Sequence, residues 1–154
     1  MHLAPLLDET LYFVAPGATH DGAPVPFDDV AARRLVLPGP QHGLRTLVER
    51  EARRRGLSLN VVVEADSLHV QKRLVQRGLG CTVLPLPSVH DEVAAGLLRA
   101  APIIRPRLAR RLVVAEPVGR QPSNAVRRFG TVLRAEVTAM VAGGIWDGRL
   151  LRGA

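Results

Sequence analysis

Cysteine, lysine and aromatic side chains are scarce in this sequence, and each scarcity narrows what the chain can be. A single cysteine, Cys81, excludes an internal disulfide and any thiolate cluster for a metal. The five histidines fall at no metal-ligand spacing, so no metal or other cofactor is expected. Five aromatic residues are a poor stock for stacking on single-stranded nucleic acid. No apolar run approaches the ~20 residues that span a bilayer. Met1-His2-Leu3-Ala4-Pro5 has no basic stretch ahead of an apolar segment, which argues against a secretory leader. These absences point to a cytoplasmic protein without a membrane partner.

What is present builds a core. Hydrophobic residues make up 47% and charged residues 23% of 154 positions, enough for one compact domain or two small lobes. The net charge is +7, and every base except Lys72 is arginine. A basic balance favours acidic partners, but the arginines are scattered from Arg33 to Arg152 rather than gathered in one tract. Direct nucleic-acid binding by this chain is therefore not the expectation.

Periodicity and punctuation divide the chain into alternating elements. Residues 6–14 read as a strand, 17–26 as a Gly/Pro loop, 27–32 as a helical turn and 35–37 as a short buried strand. Leu44, Leu47, Val48 and Ala52 place an apolar stripe on a helix over 43–55. Val61-Val62-Val63 reads as a strand buried on both faces. Asp66 or Ser67 caps a second helix with Val70, Leu74 and Val75 inward, stopped at Gly78. Strands at 81–84 and 112–115 follow the same pattern. Residues 97–104 are extended, and Pro102 predicts an edge position. Val126, Phe129, Leu133, Val137 and Met140 form one stripe on a helix over 123–142, and the residues from Asp147 read as frayed. The order predicts an α/β fold with a largely parallel sheet.

In such sheets ligands bind outside the carboxyl ends of the strands. Three ends qualify: Pro38-Gly39-Pro40-Gln41-His42, Glu64-Ala65-Asp66-Ser67 and Pro85-Leu86-Pro87-Ser88. The candidate ligand-binding residues are Gly39, Gln41, His42, Asp66, Ser67, Pro85 and Ser88. The first loop leads into a helix whose free N–H groups suit an anionic group. Turn and capping duties explain the same residue types. No catalytic constellation emerges. Gly78-Leu79-Gly80 follows a helix and precedes a strand, the reverse of a dinucleotide fingerprint, and suits a tight turn instead. Cys81 opens an apolar strand with no histidine nearby in sequence. Ser67 and His69 are two apart on a helix and do not face each other. Glu64 and Asp66 could share a strand face, but helix capping explains Asp66 more simply.

Taken in order, several segments resemble the effector-binding (substrate-binding) domain of LysR-type transcriptional regulators. They are Leu7-Asp8-Glu9-Thr10-Leu11-Tyr12-Phe13-Val14-Ala15-Pro16, Phe27-Asp28-Asp29-Val30-Ala31, Leu35-Val36-Leu37-Pro38 with Gly43-Leu44-Arg45, Val63-Glu64-Ala65-Asp66-Ser67-Leu68 and Leu74 through Pro85. Arg111-Leu112-Val113-Val114-Ala115 and Pro122-Ser123-Asn124-Ala125 close the pattern, and Arg120, Ser123 and Gly144-Ile145-Trp146 resemble the nitrogen-assimilation-control branch. The resemblance implies a type 2 periplasmic-binding-protein-like fold, with the second lobe nearly complete and the first lobe partial. It divides the chain into a crossover strand and remnant of lobe I (1–17), lobe II (18–107), a return crossover with a C-terminal helix of lobe I (108–146) and a tail (147–154).

The same resemblance implies a non-enzymatic sensor of a small polar or anionic effector. Homo-oligomerisation would involve the 43–55 helix and the 59–64 strand, with Leu44, Leu47, Val48 and Ala52 partly facing a partner; packing on their own sheet is the simpler role. The winged helix-turn-helix that would contact DNA is not found in these residues, nor is the first half of lobe I. The sequence thus reads as a truncated effector domain whose long helix exposes an apolar patch. A solute-binding protein of the same fold and an inactive fragment are the alternatives.

Overall fold

The computed structural model describes residues 2–116, 119 and 123–151. Arg120 and Pro122 of the motifs above lie outside them. The chain divides into two compact units, Leu11–Leu108 and Met1–Thr10 together with Ala109–Ala154. One long strand, β1 (His2–Pro16), contributes to each.

In the 11–108 unit the C-terminal half of β1 is hydrogen-bonded on both edges. It runs antiparallel to β5 (Thr82–Pro85), with Tyr12 opposite Leu84, and to β6 (Leu98–Ile104), with Tyr12 opposite Pro102. β2 (Val25–Pro26) lies parallel on the far side of β6. β3 (Arg34–Leu37) and β4 (Asn60–Glu64) pair in parallel. A parallel bridge between Leu35 and Cys81 joins β3 to the start of β5. The spatial order is β4-β3-β5-β1-β6-β2. Four helices connect these strands: α1 (Phe27–Ala32), α2 (Gly43–Arg54), α3 (Leu68–Gln76) and α4 (His90–Ala94), the last preceded by a single 3-10 turn at Leu86–Ser88. The core gathers Leu11, Phe13, Phe27, Leu35, Leu37 and Leu98, each 0–1% exposed.

The α/β class holds, and five of the six strands in this unit run the same way, but β1 opposes every strand it pairs with. A sequence of alternating helices and strands does not reveal a strand that arrives from the chain's start and inserts between two later ones. For the same reason β6 is not an edge strand. Pro102 is tolerated there because β2 offers only Val25 and Pro26, opposite Ile103 and Ile104, so little ladder lacks the missing N–H. Nor is β4 buried on both faces: among the described residues it pairs with β3 alone, and Val62 is 36% exposed. The β-branched run reflects strand propensity rather than double burial. On α3, Val75 is buried but Val70 is 43% exposed; Gln71 takes the inward position instead.

Gly78-Leu79-Gly80 performs two local tasks. Gly78 has φ +75, its N–H reaches the Val75 carbonyl at 2.9 Å and the Leu79 N–H reaches Leu74 at 3.1 Å, closing α3 in a Schellman turn. A Cβ on Gly80 would stand 2.8 Å from the Arg34 carbonyl oxygen, so this position must lack one for β5 to enter beside β3.

The second unit sets the N-terminal half of β1 between β7 (Ala109–Glu116) and β8 (Gly148–Leu150), both antiparallel, and adds α5 (Asn124–Ala142). The segment from Asp147, expected to fray, thus closes the sheet: Leu7–Glu9 face Leu150–Gly148. A bulge between Pro5 and Leu7 shifts the register, and both Leu6 and Leu7 bury with Val137 of α5. Ser67's role on α3 has a counterpart here, since Ser123 Oγ accepts from the Val126 N–H at 3.3 Å. The apolar residues of α5 are unevenly covered. Val137 is 3% exposed, whereas Val126, Phe129 and Val132 are 50%, 67% and 52% exposed.

Two carboxylates on β1 tie this unit together. Glu9, 1% exposed, accepts from Arg110 Nε on β7 and from Trp146 Nε1 at 2.9 Å. Asp8 accepts from Arg111 Nε at 2.7 Å and from Arg149 at 3.0 Å. The Arg111 hydrogen bond, then that of Arg149, holds the Asp8 carboxyl at about 2, against an ordinary 3.8. A depressed carboxyl stabilises the fold above the unfolded value and loses that contribution as pH falls through the folded one. Asp8→Asn is therefore expected to lower the urea midpoint near neutral pH and to converge with the wild type near pH 2. An equal gap at both pH values would refute the linkage.

Candidate functional site

Because β3, β4 and β5 run the same way, their carboxyl ends share one edge, and the three candidate loops follow directly from them. Each loop is organised by its own residues. His42 caps α2: its Nδ1 accepts from the Leu44 N–H at 3.2 Å, and its carbonyl accepts from Thr46. Ser67 caps α3, its Oγ accepting from Val70 N at 3.4 Å. Asp66 reaches across from the β4 loop, its Oδ1 accepting from the Gly39 N–H at 2.8 Å. The Ala65 N–H donates to the Leu37 carbonyl at 3.0 Å, so the first two loops are cross-linked twice.

These bonds sort the candidates. Gly39, His42, Asp66 and Ser67 all have structural employment. Two of the N–H groups an anion would use, on Gly39 and Leu44, already donate to Asp66 and His42. Gln41 is exposed, Ser88 is half-buried in the 3-10 turn, and neither side chain makes a hydrogen bond among the described residues. Pro85 is buried at the end of β5, opposite Leu11. The geometry brings the three loops to one edge and leaves the side chains of Gln41 and Ser88 unbonded there among the described residues.

Two further residues shape this edge and were not among the candidate site residues, although Arg45 lies in the Gly43-Leu44-Arg45 segment that carries the family resemblance. Arg45, 7% exposed, donates from Nε to Glu49 Oε1 at 2.6 Å and from a terminal nitrogen to the Pro38 carbonyl at 3.1 Å. The same nitrogen lies 3.3 Å from Glu64 Oε1. It thereby joins α2, the loop after β3 and the end of β4. Gln71, 4% exposed, donates from Nε2 to the Ala65 carbonyl at 2.7 Å, while its Oε1 has no partner among the described residues. The available signal was a polar residue at an inward helical position: Gln71 lies one turn before Val75, and Arg45 three residues before Val48.

The α2 stripe is mostly consumed internally. Leu44, Val48 and Ala52 are at most 2% exposed in the unit's own core, so they are unavailable to a partner; Leu47 is half-buried. Beside them an open groove of about 490 Å³ runs between α2 and β4, lined by Arg45, Glu49, Ala52, Leu57, Val61 and Glu64 among others. The outer edge of β4 has no strand partner among the described residues. Cys81 is half-buried, and loss of hydration raises its thiol pKa, the opposite of an activated nucleophile. No helix among the described residues is long and apolar enough to cross a membrane.

A parallel three-strand edge bearing polar loops, in a mixed α/β sheet crossed by an opposing strand, is the arrangement in which open α/β sheets carry ligand sites. The family description "LysR substrate binding domain" matches residues 1–138. The chain belongs to that family. It is 29% identical over 124 residues to an uncharacterised HTH-type transcriptional regulator, YeiE, of Escherichia coli, covering 80% of this chain and 42% of the relative. A probable nitrogen assimilation transcriptional activator of Synechococcus elongatus is 32% identical over 98 residues, covering 64% of this chain and 32% of the relative. This chain thus spans less than half the length of these curated relatives. The CcmR regulatory domain of Synechocystis, solved in complex with 2-PG, superposes with a TM-score of 0.75 at 24% identity, covering 88% of this chain and 66% of that one. The QuiR effector-binding domain with shikimate gives 0.70 at 17% identity, covering 88% and 64%. At these identities the two structures speak for the fold.

Arg45 is the test of how the site edge is held. Arg45→Met removes three acceptor contacts while keeping the stem's packing. It is expected to cost about 1–3 kcal/mol in urea denaturation, since a buried carbonyl and two carboxylates lose their donor. It should also speed amide exchange in the 38–42 loop. Unchanged stability and exchange would mean Arg45 is a bystander.

Proposed function

We propose that this chain is the effector-sensing module of a LysR-type transcriptional regulator acting in the cytoplasm. A small polar metabolite docks on the loops at 38–42, 65–67 and 85–88. The observation that carries the reading is the convergence of those loops on one edge, with Gln41 and Ser88 left unbonded there. Asp66 already occupies the Gly39 amide, which favours a ligand presenting hydroxyl or amide groups to this lobe over a bare anion. That the CcmR and QuiR domains are described with 2-PG and shikimate bound supports a metabolite-sized occupant. Residues 18–107 are read as lobe II, and the flanking 1–17 and 108–146 segments as crossovers with part of lobe I. Contact with operator DNA by a helix-turn-helix belongs to the whole regulator. The role is sensing, not catalysis: ligand binding shifts an equilibrium between arrangements by differing in affinity for them.

A thermal-shift screen of hydroxylated and carboxylated metabolites against this chain tests the site. A true effector at 100 times its Kd adds about 2.7 kcal/mol of stability. Gln41→Ala and Ser88→Ala are expected to shrink that shift at least threefold while leaving the ligand-free melting point unchanged. A hit indifferent to both substitutions would place the ligand elsewhere.

Self-association is proposed along the unpaired edge of β4 and the adjoining groove of α2. Leu47 and Val62 supply the apolar contact, because Leu44, Val48 and Ala52 are spent on the core. Sedimentation velocity on the chain should show a dimer that Val62→Asp converts to monomer. A wild-type chain monomeric at high micromolar concentration would remove this interface.

A further inference from the structure

Arginines that are dispersed along the sequence are gathered by the fold at the edge opposite the effector loops. β3, β4 and β5 are parallel, so their amino ends share one edge, and α2 and α3 return to it with their C-termini. Arg33 and Arg34 open β3; Arg53 and Arg54 end α2; Arg73 and Arg77 end α3. The juxtaposition is direct at the backbone. Arg34 pairs with Asn60 at the start of β4, and its carbonyl accepts from the Cys81 N–H at 2.8 Å, three residues after Gly78. All six arginines are exposed.

Few acids balance them. Arg54 lies 4.0 Å from Glu51, and the neighbouring Arg55 binds Asp28 at 2.6 Å. Arg33, Arg34, Arg53 and Arg77 have no carboxylate within ion-pair distance among the described residues. Favourable interaction with helix C-termini accounts for a base or two on each of α2 and α3. Arg33 is likewise the C-cap of α1, while Arg34 extends the same field at the start of β3. Like charges this close oppose folding unless a counter-charge offsets them.

We propose that this amino-edge arginine face binds the phosphate backbone of duplex DNA, as a sequence-independent contact additional to any helix-turn-helix. The charges spread over the start of β3 and the C-terminal ends of two helices. That breadth suits a run of phosphates; it does not converge on one small anion. Guanidinium also matches phosphate oxygens in paired hydrogen bonds, and every base on this face is arginine. The contact does not depend on the effector reading, which concerns the opposite edge.

The test uses the chain itself with a fluorescein-labelled duplex of arbitrary sequence, titrated by anisotropy between about 50 and 200 mM salt. Binding is expected at low salt and should fall linearly on a log–log plot. Arg34→Glu and Arg77→Glu should each weaken it at least fivefold and reduce the slope by about 1. Arg34→Gln and Arg77→Gln serve as gentler versions should a reversal impair folding, with melting curves as the check. Arg128→Glu on α5 changes net charge equally and should leave the slope unchanged. No binding by wild type at the lowest salt would overturn the proposal, as would an equal loss in Arg128→Glu. Polyglutamate competing as well as unlabelled duplex would assign the face to an acidic protein instead.

Discussion

Residues 11–16 of β1 are hydrogen-bonded on both edges, antiparallel to β5 on one side and β6 on the other. A strand that opposes both neighbours forces those neighbours to be parallel to each other. It also fills the place between β5 and β6 that a fourth βα unit would otherwise need, so β3, β4 and β5 form an uninterrupted parallel group. Everything at the effector edge depends on that. If β1 were displaced, β5 would lose its ladder, and the Pro85–Ser88 loop would no longer be held level with the loops after β3 and β4. The core residues that anchor this strand, Leu11, Phe13 and Val14, are at most 1% exposed. Site geometry is therefore enforced by burial on the strand next to the Pro85–Ser88 loop and two strands away from the 38–42 loop.

Local features were legible where they obey local rules. Helix α2 follows from its stripe, α3 from the Ser67 cap and Gly78 stop, and the three carboxyl-end loops from their Gly, Pro and Ser content. Long-range pairing was not legible. Nothing near Pro102 says that β2 is only two residues long, and nothing near Val61-Val62-Val63 says that β4 has one neighbour. The residues after Asp147 look featureless, yet they become β8 because Asp8 and Glu9, more than a hundred residues earlier, offer partners to Arg149 and Trp146. At the site, the types of residue were visible but their duties were not. His42 and Ser67 could be ligand contacts or caps until their acceptor atoms are seen to be occupied by Leu44 and Val70.

The smaller unit follows a different logic from the larger. Its apolar cluster is short, built on Leu6, Leu7 and Val137, and a buried carboxylate lies beside it. Glu9 is tolerable in that position only because a guanidinium and an indole N–H both address it; an unpaired buried carboxylate would cost several kcal/mol. Polar specificity thus fixes which strand and which turn close on β1, where hydrophobic area alone would leave the register loose. The exposed Val126, Phe129 and Val132 are consistent with this shortage of internal apolar contact. The stripe on α5 is longer than the described part of the unit can cover.

Strand direction also decides where charge collects. In a parallel βα arrangement the two edges of the sheet are chemically unlike by construction. The carboxyl edge receives helix N-termini, and here the capping acceptors of His42 and Ser67 together with the carboxylates of Glu64 and Asp66. The amino edge receives helix C-termini and draws basic side chains. This chain exaggerates the contrast by adding Arg33, the C-cap of α1, and Arg34 at the start of β3 to the second edge. An effector bound at the first edge and a polyanion bound at the second would share the same three strands. A shift in the β3–β4–β5 register felt at one edge must appear at the other, because packed strands slide as bodies and do not stretch. A coupling between the two would then be reciprocal in free energy, each ligand changing the other's affinity by one common factor.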